Sequence, residues 1–414
     1  MKKPIVVLIF LIFFVISFLT NILGPIIPDI VQSFRLSIGL AGFLPFAFFV
    51  AYGVMSIPSG VLVERFGEKT VLLSAFLLAF SGALLFALAP GFAVALLSLF
   101  LIGIGMAMLQ VVINPLLRVA GGEEEFAFNS VMAQLFFGGA SFLSPWLYSY
   151  LVQHVHSADH SPLISLFNSL VPSNLKWVSL YWVFAVVALV MVLVIWRVRF
   201  PKVELTDDEK VDTGKTLFSL LRNKTVIFFF FGIFSYVGTE QGIANWTSQF
   251  LQTYHGVDPA TTGAGVISYF WGLLTIGCFL GLLLLKFFDS RRVLIFFVLG
   301  AIASLLTGLF GSKEAALIAF PMTGFFASVM WSIVFSLALN SLPSHHGTFS
   351  GILCTGIAGG AVVPLIIGGI AELTGLRFAM LFLLATLGYI LCVAVFARPL
   401  VKNATVQSLK DLFA

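Results

Sequence analysis

Just past the midpoint of the chain, an apolar run is interrupted by a carboxylate and two amides: Glu240, Gln241 and Asn245, with Trp246 beside them and Gly238 and Gly242 interspersed. Val226 to Phe234 lead into this stretch without a loop signal, so it reads as the continuation of a helix long enough to cross a membrane. An ionised carboxylate in hydrocarbon costs roughly 2.5 kcal/mol or more. A helix that keeps one turns it toward a cavity, a partner or an ion. Gln241, Asn245 and Gln249 recur every four residues and so line up as one polar stripe beside Glu240. The chemistry on offer is cation or proton binding at Glu240 and hydrogen bonding to a solute along the amides.

The other polar residues in apolar runs are few. Asn21 precedes Gly24 and Pro25, a pair that predicts a break or kink in the first helix. Gln110 and Asn114 stand four apart, with Pro115 directly after, and Asn129 and Gln134 follow in the next helix. Tyr236, Tyr269, Trp271 and Trp331 add aromatic surface. Amide side chains both donate and accept, as sugar hydroxyls do, and indole faces match the C–H faces of a sugar ring. A strongly charged substrate would call for Lys or Arg inside a helix, and none is there. The inventory favours a neutral polyhydroxylated solute. The candidate substrate-binding residues are Asn21, Gln110, Asn114, Gln134, Gln241, Asn245, Trp246, Trp271 and Trp331. The competing reading for each amide is a helix–helix hydrogen bond, worth about 0.6 kcal/mol in membranes, and for each indole simple packing.

These residues must be positioned by membrane helices. The 414 residues are 60% apolar and 10% charged, with a mean hydropathy of +1.08, whereas soluble domains run to about 25% charged residues. Runs of membrane-crossing length fall near 4–28, 39–63, 71–88, 92–118, 127–152, 177–197, 224–252, 262–286, 291–310, 315–340, 348–372 and 377–397. The fold class expected is an all-α polytopic membrane protein with twelve transmembrane helices in two six-helix halves. The first run is too long for a signal peptide and lacks a small-x-small cleavage site. With both termini inside, all but four of the 22 basic residues are cytoplasmic, the exceptions being Arg35, Lys176, Lys313 and Arg377. The expected organisation is a bundle over 1–199, a cytoplasmic linker over 200–222, a second bundle over 223–399 and a tail over 400–414. Leu217, Leu220 and Leu221 are spaced for a short interfacial helix at the end of the linker.

An internal repeat supports the division into halves. Gly60, Glu64, Arg65, Phe66, Gly67 and Lys69 follow the second helix; Gly281, Lys286, Phe287, Asp289, Arg291 and Arg292 follow the eighth at the same level. The first set resembles the loop motif of the major facilitator superfamily, Gly-x-Leu-x-Asp-Arg-x-Gly-x-Lys/Arg, with Glu64 where Asp is usual. Gly60, Glu64, Arg65, Gly67 and Lys69 are expected to form a latch between helix ends that part when the inner side opens.

Tyr236 to Trp246 resembles the helix 7 segment of the fucose/proton symporter family of sugar transporters, Tyr-Val-Gly-x-Glu followed by small residues. Phe335 to Leu342, and Gly356 to Pro364 with Gly368, resemble the same family's Phe-Ser-Leu-Ala and Gly-Gly-Ala-x-x-Pro segments. Asn114 with Pro115 and Gly121, and Ala133 with Gln134, resemble its helix 4 and helix 5 patterns. The resemblance implies a monomeric importer of the bacterial inner membrane, moving a monosaccharide with an inward cation by alternating access. Some members of the family carry acids in helices 1 and 4; here those positions fall at Gly24 or Pro25 and at Gln110, none of which titrates. Glu240 is then the carboxylate well inside a helix, with Glu372 near the outer end of the eleventh. Either Glu240 takes a proton, or it holds Na⁺ beside carbonyls freed by Gly238 and Gly242, or transport is uncoupled. Oxygen ligands suit a hard cation, which tilts the reading toward Na⁺.

Little else in the chain carries chemistry. Cys278, Cys354 and Cys392 lie in apolar runs and read as packed thiols. Glu123, Glu124 and Glu125 suit a helix start, and His345 with His346 reads as a loop feature. His154, His156, Asp159 and His160 share a short polar loop, read as solvated rather than zinc-binding. No cofactor or enzymatic motif is expected, and the charge of +4 suits membrane topology rather than nucleic acid. Two other functions remain beside uptake: a multidrug or metabolite exporter of the same fold, and a transporter-like sugar sensor.

Overall fold

The computed structural model describes residues 3–121, 126–157, 161–200, 214–343 and 345–400. Among these there is no strand; the described residues form a bundle of long helices. We label the long helices α1 (Pro4–Phe34), α2 (Ile38–Val63), α3 (Glu68–Leu88), α4 (Phe92–Gly121), α5 (Phe126–His154), α6 (Lys176–Arg197), α7 (Lys224–His255), α8 (Pro259–Leu285), α9 (Ser290–Phe310), α10 (Lys313–Leu339), α11 (Thr348–Thr374) and α12 (Leu376–Phe396). All but α5 pass as membrane spans on length and apolarity, and α5, with 29 residues, is long enough to cross. Phe296, Phe396 and Leu373 point outward, as side chains facing a lipid solvent do.

Local chemistry sets the helix ends. The Asn223 side chain caps α7 by accepting from the Thr225 N–H at 2.8 Å, and Asp289 does the same for α9 through Arg291. The turn between α2 and α3 needs a residue with φ of +77°, which Gly67 supplies. The expected break in α1 falls at Asn21 and Ile22, where Pro25 has no N–H to return to the Asn21 carbonyl. Helix α1 then runs on through Pro28 to Phe34, beyond the end assigned from the sequence, because Pro28 sits in the second helical turn after the break. That extension places Asp29 inside the membrane-spanning segment, so Glu240 and Glu372 are not the only carboxylates there.

The short linker helix forms over Lys215–Leu221, with Leu220 buried and Phe218 and Leu221 exposed. Residues 201–213, 401–414 and the Glu123 to Glu125 triplet lie outside the described residues.

The repeat seen in the sequence reappears as matched contacts. Lys69 Nζ donates to the Trp196 and Val198 carbonyls at 2.7 and 2.9 Å, at the C-terminus of α6. Arg291 donates through Nε, Nη1 and Nη2 to the Ala394, Ala397 and Val395 carbonyls at 3.1, 3.2 and 3.2 Å, at the C-terminus of α12. Each cation satisfies carbonyls that the helix end leaves unpaired and opposes the negative end of the helix dipole. Lys69 thus ties the start of α3 to the end of α6, within the first six helices. Arg65 rests over the Phe66 ring at 5.2 Å; the Glu64 side chain lies outside the described residues.

Between the six-helix sets, α1 crosses α7, α5 packs on α8, and α2 on α11. Ser268 on α8 donates to the Phe142 carbonyl of α5 at 2.9 Å. The two sets also meet at the end carrying Ser37, Gly256 and Gly375. There the Glu372 carboxylate of α11 accepts from the Ser37 hydroxyl and, at 3.1 Å, from the Gly39 N–H.

Candidate functional site

The site is built on α7, which runs unbroken for 32 residues. Its glycines do not free carbonyls. A Cβ on Gly238 would lie 2.4 Å from the Val363 side chain and one on Gly242 2.7 Å from Leu383, so both admit α11 and α12 at close range. Glu240 is half-buried among sealed neighbours. One of its oxygens accepts from the Tyr236 hydroxyl, one turn earlier, and the other from Gln241 Nε2 at 3.1 Å. Asn245 Nδ2 continues the chain, donating to the Gln241 carbonyl at 2.8 Å and to Gln241 Oε1 at 3.3 Å. The Gln241 stem lies against Gly360 of α11, which also touches Phe49 of α2, so this network sits where the two sets of helices meet.

The polar stripe is shorter than its spacing suggested. Gln249 turns away and donates to Gln252 and Thr253 at 3.3 and 3.2 Å, near the Ser37 end.

The three candidate tryptophans have different fates. Trp246 is wholly buried, and its indole N–H donates to the Pro364 carbonyl of α11 at 3.0 Å; it is a structural tie rather than an open face. Trp271 is 2% exposed and edge-on to Phe270 at 5.1 Å, equally sealed. Trp331 is half-buried, stacks on Phe335 at 5.7 Å and meets the Tyr236 ring at 6.0 Å. Of the three, Trp331 alone combines a partly open ring with proximity to Glu240.

The amides of the first six helices are less concentrated. Asn21 donates to Ser141 at 2.8 Å and, more weakly, to Ser17 at 3.4 Å, and Ser17 donates to the Phe137 carbonyl at 2.6 Å. These bonds fasten α1 to α5, the helix–helix role rather than a solute contact. Gln134 is exposed on α5, Gln110 is half-buried on α4 with its side chain engaged, and the Asn114 side chain lies outside the described residues.

Two pairings escaped sequence reasoning. Tyr148 of α5 donates to Asp29 at 2.6 Å, giving the first six helices a carboxylate–phenol pair to set beside Glu240 and Tyr236. The Tyr236 partnership was readable from its four-residue spacing to Glu240; Asp29 was hidden by the prolines before it. Among the described residues no cluster of His, Cys, Asp and Glu could hold a metal. His154 Nδ1 and His156 Nε2 lie 2.8 and 2.7 Å from the Tyr150 and Val171 carbonyls; Asp159 and His160 lie outside the described residues.

A bundle of membrane-spanning helices with matched loops in its two sets, and a hydrogen-bonded polar network where the sets meet, defines a membrane transporter and not an enzyme. The chain belongs to the Major Facilitator Superfamily, whose family profile matches residues 9–355. It is 29% identical over 385 residues to a glucose/galactose transporter of Brucella abortus, covering 92% of this chain and 90% of that one. The L-fucose-proton symporter of Escherichia coli is 26% identical over 401 residues, with 90% of each chain covered. The crystal structure of the E. coli fucose:proton symporter, FucP, superposes with a TM-score of 0.68 at 23% identity, over 96% of this chain and 98% of that one. The resemblance read from the helix 7 and helix 11 segments is thereby borne out, as is the major facilitator fold.

Proposed function

We propose that this chain is a sugar–cation symporter that imports a neutral hexose-like monosaccharide, with Glu240 as the coupling group. The observation that carries the proposal is the Tyr236–Glu240–Gln241–Asn245 network beside the half-open Trp331 ring. The names of the relatives, glucose/galactose transporter and L-fucose-proton symporter, support sugar as the substrate class. Gln241 and Asn245 offer amide groups to hydroxyls and Trp331 a stacking face, while Asn21, Trp246 and Trp271 serve packing.

A proton is the ion that this network favours. Both Glu240 oxygens already accept from uncharged groups, and α7 is unbroken beside them, so freed carbonyls for Na⁺ are not at hand. Proton uptake needs one oxygen only. The basic-residue asymmetry supports an orientation with both termini in the cytoplasm, and the bacterial relatives support residence in an inner membrane. On that orientation the Ser37 end faces outward.

Uptake of a monosaccharide panel into proteoliposomes, under a proton gradient and a Na⁺ gradient applied separately, tests the reading. Accumulation driven by the proton gradient is expected. Accumulation driven by Na⁺ alone would reassign the ion; sugar binding without flux would make the chain a sensor; resistance to lipophilic drugs with no sugar flux would make it an exporter.

A further inference from the structure

Tyr236 belongs to the network behind the transport reading, which gives its hydroxyl and ring no task of their own. Its ring is 5% exposed, its hydroxyl donates to Glu240, and its ring meets Trp331 at 6.0 Å with the planes 55° apart. It is thus the described side chain that touches both the coupling carboxylate and the aromatic shelf of α10. Phe335 backs that shelf, stacked on Trp331 with the planes 23° apart.

The two partners of Glu240 are not equivalent. The Gln241 amide nitrogen can only donate, whereas a phenol can donate or accept. With Glu240 ionised, both oxygens accept and the network is satisfied. With Glu240 protonated, its O–H becomes a donor, and the adjacent phenol oxygen is the partner able to turn acceptor. The phenol hydrogen must then swing out of the bond. Where turning about the C–O bond brings that hydrogen to no other acceptor, an unpaired donor in this sealed position costs about 1–3 kcal/mol, which favours a shift of the ring against Trp331. Other titratable groups on the helices around α7 are already occupied or distant. Cys278 on α8 donates to the Ser328 carbonyl at 3.3 Å, Asp29 on α1 holds Tyr148, and Tyr389 on α12 donates to the Phe228 carbonyl at 3.2 Å. Glu372 on α11 is bound to Ser37 and Gly39; Cys354 lies in the opposite segment of α11; and Arg377, Asp258, Lys313 and Glu314 stand at the helix ends.

We infer that Tyr236 is a positioning residue that transmits the charge state of Glu240 to the sugar-facing ring of Trp331. The inference rests on the proposed role of Glu240. It makes sugar affinity depend on protonation without any contact between the sugar and the carboxylate.

The test uses the full-length protein in proteoliposomes. Sugar affinity is measured in mildly acidic and mildly alkaline buffer for the wild type and for Tyr236→Phe, which keeps the ring and removes the hydroxyl. The wild type is expected to change affinity by about 5-fold or more between the two, a typical size for coupling between sites, and Tyr236→Phe to lose most of that change. A variant that keeps the wild-type pH profile overturns the proposal, and so does one that weakens binding equally at every pH. Should Tyr236→Phe fail to fold, the pH-dependent tryptophan fluorescence of the wild type is compared with that of Trp331→Phe. A difference signal that responds to pH supports the link; one that does not overturns it. If no sugar binds the wild type at any pH, the transport reading falls, and the pH response of the Trp331 signal in the wild type against Tyr236→Phe still decides on Tyr236. Loss of the response in the variant supports the link, and an unchanged response overturns it.

Discussion

The carboxylate of Glu372, near the end of α11, accepts hydrogen bonds from Ser37 and Gly39 at the start of α2, so that one side chain fastens the two sets of helices to each other. The Ser37 hydroxyl also accepts from the Leu40 N–H at 3.2 Å, tying the helix start and the carboxylate into one unit. Because the contact joins elements that must separate for that end to open, it contributes to the closed state and is absent from the open one. Glu372→Ala is expected to shift the population toward opening at the Ser37 end, by an amount that the solvent exposure of this carboxylate holds to about 1 kcal/mol. Cysteine accessibility at positions facing the cleft measures it. Unchanged labelling would show that the closed state does not depend on Glu372.

Glu240→Gln replaces the titrating group with an amide that still offers an acceptor to Tyr236. Concentrative sugar uptake in proteoliposomes should be abolished, while sugar-for-sugar exchange, which needs no net proton movement, should survive. Wild-type accumulation by this variant would remove Glu240 from the coupling role and leave the sugar reading standing.

The indoles separate stability from binding. Trp246→Phe removes the indole bond to the Pro364 carbonyl and part of a wholly buried ring, the bond alone being worth about 0.5–1.5 kcal/mol. Its thermal unfolding in detergent should move down clearly. Trp331→Phe removes a half-open ring; its unfolding should change little while sugar affinity falls. The reverse pattern would exchange the roles assigned to the two residues.

How legible this was in the sequence follows from what each feature depends on. Apolar runs of about 20 residues are imposed by bilayer thickness, so the helices could be placed within a few residues. Glu240 and the two amides after it were readable because four-residue spacing survives folding on a straight helix. Which tryptophan is sealed was not readable, since that depends on a carbonyl 118 positions away, at Pro364. Asp29 was lost because Pro25 and Pro28 read as a helix end, yet Pro25 only breaks α1 and Pro28 is accommodated early in the segment that follows. Lys69 was seen as part of a loop motif, but whether its partner lay in its own set of helices or across the interface could come only from three dimensions.

Lys69 and Arg291 should make separate contributions to stability, since each caps the last helix of its own set. Arg291→Ala loses three donors to carbonyls and Lys69→Ala two, each change expected to cost about 1–2 kcal/mol given the partial solvent exposure. The double variant should show the sum, measured by thermal unfolding in detergent. A clear departure from additivity would mean that the two caps communicate through the interface.

The packing of α1 against α7 leaves no room for a side chain at Gly24. In this conformation a Cβ at Gly24 would lie 2.0 Å from the Ala244 carbonyl oxygen and 2.9 Å from its carbon, both backbone atoms that cannot swing aside. Ala244 is the residue before Asn245, so the contact sets α1 directly against the polar network of α7. Gly24→Ala should therefore disfavour the conformation closed at the Ser37 end more strongly than it disturbs either set of helices alone. The expected result is a protein that still unfolds cooperatively, with transport slowed and labelling at the Ser37 end increased. Normal transport by Gly24→Ala would mean that α1 and α7 approach less closely during the cycle than they do here.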